Sequence, residues 1–303
     1  MPLFALLAAA LPTTAPVHAL PLWMQSNHPA IAVTLEGRPE PLRFVVDSAA
    51  GATLVDGRVA RRYGLEDTTA PVSQAQGASA QGAELRRLRS TRWQLGSLQF
   101  EASGVQADLG NLANGDAPAI DGIIGNDITA RWDTRWDFAG GTLALWQPGT
   151  LGNGAGCQPN ALPHRGEGLR DFAIITVQLG QPQVPAIAVV DTGAAQTVLN
   201  LAAARALGLR IDGSDARVRV RAKGTEGLGG QPQPTWLHDL PVLASAGWQH
   251  PAMEVRISAL SVFRAIGLED RPALILGADA LRDGQVDISA GAERICLRRQ
   301  AGG

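Results

Sequence analysis

The chain has 303 residues, 45% hydrophobic and 18% charged, enough apolar material for two modest domains or one bilobed unit. Its formal net charge of −2, without a basic run, excludes the charge pattern of a nucleic-acid binder. With 35 Gly and 19 Pro between short Val- and Ile-rich runs, the composition points to strands and turns, not long helices.

In chain order, residues 3–11 (LFALLAAAL) form an apolar run too short to span a bilayer. Val17-His18-Ala19 follows as a cleavage-like site, although no Lys or Arg precedes the run. The expectation is a signal peptide over 1–19 and an exported mature protein without a membrane helix; a disordered or buried N-terminal segment is the other reading. Residues 44–55 read FVVDSAAGATLV, a buried strand that ends on Asp47 and enters a turn of small residues. Next comes GRVARRYGL, a short helix with Asp56 at its N-terminus and Gly64 beyond its C-terminus. Residues 120–128 (IDGIIGNDI) place two aliphatics before Gly125, and WDFAGGTLALW closes the first half as a strand. In Trp132–Asp137 the tryptophans are expected to face the core and the charges to be exposed. The Gly-, Pro- and Asn-rich stretch 147–168 reads as a connection permitting some relative motion.

The second half repeats this order. Residues 188–199 (AVVDTGAAQTVL) align without a gap to 44–55 at an offset of 144, so Asp191 matches Asp47. Asn200 matches Asp56, LAAARALGL matches the helix, and Gly208 matches Gly64. ALILGADAL (273–281) then supplies Gly277 opposite Gly125, at an offset of 152, and VDISAGAERICL ends the repeat. Two lobes follow, 20–150 and 151–303.

An Asp at the end of an apolar strand is costly unless it has partners. If the repeats pack about a pseudo-twofold axis, Asp47 and Asp191 meet there and share one proton, giving an acid beside a base. Asp191-Thr192-Gly193 and the paired Ile-Ile-Gly and Ile-Leu-Gly blocks resemble the signatures of the pepsin-like and retroviral-type aspartic proteases. The resemblance runs from about residue 27 to 300 and lies nearer the retroviral type, as a fused version of that dimer. It implies a mainly all-β, bilobal acid-protease fold acting on polypeptides, with Asp47 and Asp191 catalytic and Ser48 and Thr192 bonding across the lobes. It also implies flaps, for which Gly227, Leu228, Gly229 and Gly230 are the better candidates and Gly77 and Ala78 the weaker; the other reading of both is a surface turn.

The first loop departs from the pattern by having Ala49 in place of Gly. If positive φ is needed there, Ala costs roughly 1 kcal/mol, with Gly51 as a local compensation. A non-catalytic peptide- or ligand-binding relative is therefore the alternative function. Cys157 and Cys296 are either a disulfide or two buried thiols. The five histidines show no i, i+4 pair, so neither a metal nor a cofactor is expected. Asp127 and Asp279 read as turn-capping carboxylates. Because both acids lie in one chain, a monomer is expected.

Overall fold

The computed structural model describes residues 15–75, 83–112, 117–152, 156–161, 172–228, 231–289 and 293–299. It is a mainly β protein with short helices, arranged as two matching lobes on a shared sheet. Each lobe is one large sheet, and the strand order is the same in both. In the first, Arg38–Val46 lies between His28–Leu35 and Gly122–Ile124; in the second, Val184–Val190 lies between Ile174–Leu179 and Ala273–Leu276. The registers agree as well: Ala30 pairs with Val45 and Ile174 with Val189, both at the 144-residue offset.

The local signals explain why these elements form. Phe44, Val45 and Val46 are buried, as are Ala188, Val189 and Val190, because each central strand is covered on both faces. The short helices Gly57–Arg62 and Leu201–Ala206 start where Asp56 accepts from the Arg58 N–H and Asn200 from that of Ala203. Both end before a glycine in the left-handed region, Gly64 at φ 63° and Gly208 at φ 66°.

The lobes join through a six-stranded sheet, ordered His18–Pro21, Thr142–Trp146, Asp133–Asp137, Gly284–Ser289, Arg294–Arg299 and Cys157–Pro159. Its central seam pairs Asp133–Asp137 of the first half with Gly284–Ser289 of the second, Arg135 facing Asp287. Each half therefore closes as a two-stranded hairpin, not the single strand expected. The strand His18–Pro21 begins inside the segment read as leader, and removal after Ala19 would take half of it.

The charges of Trp132–Asp137 are not exposed as expected. Asp133 is fully buried, accepting from the Gly149 and Leu151 N–H groups and from the Ser289 hydroxyl. Asp287 is also buried, and Arg135 and Arg298 both donate to it. Burial pushes its carboxyl up, but the two guanidinium groups outweigh this and hold it below the usual range. The seam pairs its charges across the two halves, so the second face of the strand can be covered as well. At the sheet's far edge, a disulfide joins Cys157 to Cys296 and ties the connecting segment to the last strand.

Candidate active site

Asp47 and Asp191 leave the ends of their central strands at the same height because one interaction is made twice. The Asp47 N–H donates to the Ile124 carbonyl (2.9 Å), and the Asp191 N–H to that of Leu276 (3.0 Å). The glycine after each aliphatic pair lets that strand pass behind the loop. A Cβ on Gly125 would lie 2.6 Å from the Ala52 carbonyl, and one on Gly277 would lie 2.6 Å from the Gln196 carbonyl carbon. Thr53 and Thr197 complete this support. Their hydroxyls donate to Asp127 (2.8 Å) and Asp279 (2.7 Å) and accept from the Gly125 and Gly277 N–H groups. Asp127 and Asp279 thus brace the loops from behind.

Between the lobes, the two hydroxyl residues form a crossed network. The Ser48 N–H donates to Thr192 Oγ1 (3.0 Å), whose hydroxyl donates to the Val46 carbonyl (2.9 Å). The mirror pair runs from the Thr192 N–H to Ser48 Oγ (3.1 Å), and from that hydroxyl to the Val190 carbonyl (2.8 Å). Both residues are buried, so no water competes for these four bonds. They fix the two loops against each other.

The side chains of Asp47 and Asp191 meet at the seam: the Asp47 carboxyl lies over Gly193, where a Cβ would come within 2.2 Å of it, the charge of Asp47 acts on Asp191, and both acids stand half-buried. Their surroundings are not equivalent. Asp47 accepts from the Ala49 N–H (2.7 Å), and the N–H groups of Ala50 and, across the seam, Gly193 also stabilise its charge. The backbone donors on Asp191 are Ala194 (2.8 Å) and Gly193, both of its own loop. Burial raises both acids above the ordinary carboxylate range. The negative charge of Asp47 raises Asp191 further, well above it. The pair therefore holds one proton between its two carboxyl groups into the range where ordinary carboxyls would have lost both.

Ala49 does not strain its turn. Neither it nor Gly193 is in the left-handed region, so the expected penalty is absent. Gly51 has no compensating role: its φ is ordinary, and a Cβ there would meet nothing within 4 Å. The Ala49 side chain packs against the second-lobe group that includes Leu260 and Phe263.

Val218–Thr225 and Gln233–Leu240 form a hairpin whose described tip, Gly227 and Leu228, reaches the first lobe. Asn111 Nδ2 donates to the Gly227 carbonyl (3.1 Å), and Leu228 packs beside Val45, Leu109 and Ile123. Gly229 and Gly230 lie outside the described residues, as do Gly77 and Ala78. The strands flanking the latter pair, Val72–Ala75 and Ala83–Arg87, are antiparallel partners.

Sequence reasoning missed the hairpin tip at Asn27 and His28. His28 Nδ1 lies 2.8 Å from the Gly193 carbonyl, and Asn27 Nδ2 donates to that of Ala195. Only the turn-forming Asn27 was readable as a local signal; its contact across the seam has no sequence signature. Among the described residues, no group of three or more His, Cys, Asp or Glu could hold a metal ion.

No curated protein matches this chain. The aspartyl protease family model matches it twice, over residues 31–128 and 175–280, once in each lobe. With about two thirds of its length matched in this way, the chain belongs to the aspartyl protease family.

Proposed function

We propose that the protein is an aspartic endopeptidase in which Asp47 and Asp191 together activate a water against a peptide bond. The observation that carries this reading is the meeting of the two acids at the seam, the Asp47 carboxyl lying over Gly193 of the Asp191 loop, with Ser48 and Thr192 gripping the loops from both sides. Asp47, as carboxylate, takes a proton from the water while the water oxygen bonds to the peptide carbon. Asp191 gives its proton to the carbonyl oxygen. As the tetrahedral diol collapses, the C–N bond breaks, the departing nitrogen takes the proton from Asp47, and one diol hydroxyl gives its proton to Asp191, which restores the pair with one proton. The chain supplies both roles itself, so a monomer suffices.

The alternative of a cleft that binds without cleaving rests on Ala49 separating the acids. The ordinary φ of Ala49 and the close approach of the Asp47 carboxyl to Gly193 of the opposite loop speak against it. We also propose that the protein is exported; the apolar N-terminal run and the Cys157–Cys296 disulfide support this.

The test is cleavage of a denatured protein across pH, run with Asp47→Asn and Asp191→Asn. Each substitution should lower kcat by about a thousandfold or more. A statine-type peptide, whose hydroxyl takes the place of the attacking water, should block the wild type. Full activity in either Asn variant would overturn the shared-site mechanism.

A further inference from the structure

The Asp191 loop receives from the opposite lobe a contact that has no counterpart on the Asp47 loop among the described residues. Trp23–Gln25 and His28–Leu35 form a hairpin whose turn, Ser26-Asn27, has both residues at positive φ (50° and 66°). This two-residue turn carries Asn27 and His28 across the seam to Gly193 and Ala195. The hairpin is held from below by Gln25, whose amide donates to the Pro118 carbonyl (2.5 Å). His28 is only 6% exposed, so its ring is locked in place.

The chemistry of the contact is directional. A carbonyl only accepts, so the proton of the neutral ring sits on Nδ1 and points at Gly193. The Gly193 carbonyl belongs to the same peptide unit as the Ala194 N–H, which donates to Asp191 Oδ1 (2.8 Å). The three groups form a chain: imidazole N–H to peptide carbonyl, then peptide N–H to carboxyl. Donation to the carbonyl end of a peptide strengthens donation from its N–H end.

The pseudo-symmetric position lacks this device. Adding the 144-residue offset to His28 gives Phe172, whose side chain packs on the same apolar group as Ala49 and has no donor to offer.

We propose that His28 is a positioning residue for Asp191, orienting and polarising the Gly193–Ala194 peptide that holds this carboxyl group. The proposal rests on the endopeptidase reading for its kinetic consequence only. Burial lowers the His28 pKa, the bond to Gly193 opposing this, which favours the neutral ring that the contact requires.

The experiment compares the full chain with His28→Phe and His28→Asn. Phe keeps the ring volume without a donor; the Asn amide stands where Nδ1 stood and donates. Two readouts are needed: kcat and KM on denatured protein, and the carboxyl-carbon NMR titration of Asp191, assigned by its loss in Asp191→Asn. His28→Phe should lower kcat about tenfold, the worth of one good hydrogen bond, with KM within about twofold. It should also move the Asp191 titration to higher pH, because a weaker Ala194 donor stabilises the carboxylate less. His28→Asn should restore both.

Wild-type kcat and titration in His28→Phe would overturn the proposal. So would folded His28→Asn behaving like His28→Phe. If His28→Phe does not fold, His28→Gln replaces it, its amide lying at the Nε2 place and missing Gly193. A wild type that cleaves nothing refutes the endopeptidase reading, while the NMR titration still decides the role of His28.

Discussion

Gly193 and Ala49 hold matching places in the two loops, and the difference between them is one methyl group. At Gly193 that methyl would lie 2.2 Å from the Asp47 carboxyl, inside any allowed contact. At Ala49 it exists, and it is packed against the second lobe beside Ala194 and Phe263. The carboxyl pair is therefore not centred on the pseudo-twofold axis: Asp47 leans over Gly193, where there is room and a backbone donor. A near-symmetric scaffold has thus given its two acids unequal surroundings.

The sharpest way to break this comparison is to exchange the methyl group. Gly193→Ala should push Asp47 aside and cost about a hundredfold in kcat/KM, the effect of an ångström-scale misplacement. Ala49→Gly removes only packing and adds unfolded-chain freedom. It should lower kcat/KM by no more than about threefold and stability by about 1 kcal/mol in urea unfolding. Equal losses in the two variants would mean that the lobes are interchangeable.

A smaller effect tests where the lobes should agree. Thr192→Val and Ser48→Ala each strand a buried N–H and a buried carbonyl, so each should cost about 2–4 kcal/mol in urea unfolding. The two costs should match within about 0.5 kcal/mol, and the double variant should cost less than their sum, because they dismantle one network.

The smallest effect lies in the pH dependence of stability. An acid with a raised folded-state pKa binds more protons folded than unfolded, so its contribution falls as pH rises past the ordinary carboxylate value. Asp191→Asn removes that cost. By thermal melting, it should match the wild type below the ordinary carboxylate range and melt about 2–4 °C higher at neutral pH. Asp47→Asn should also melt higher at neutral pH, since it removes one buried acid together with the charge that raises the other.

Much of this was legible because it is local and occurs twice. The apolar strand before each Asp, the caps at Asp56 and Asn200 and the glycines at 64 and 208 are short-range signals that agree at one offset. The paired glycines at 125 and 277 announced themselves in the same way, whereas the tight approach they permit is visible only in the structure. What could not be read depends on partners distant in the chain. Asp133, Arg135 and Asp287 look like surface charges until the closing hairpins of the two halves meet, burying Asp133 beside Ser289 and Asp287 beneath Arg135. His28 stands at the mouth of an ordinary apolar strand, and its role depends on a carbonyl 165 residues away. The Ala49 turn was misjudged because a glycine conserves space as often as it permits unusual φ, and here space is the issue.

The seam between Asp133–Asp137 and Gly284–Ser289 is drawn from the two halves of one polypeptide. Tethering holds the second half at a fixed, high effective concentration around the first, whatever the bulk protein level. An assembly of separate halves would come apart as it was diluted into a large volume and lose its reactive centre. In this chain both acids lie on one polypeptide, so under the proposed activity turnover per molecule should stay constant down to vanishing abundance.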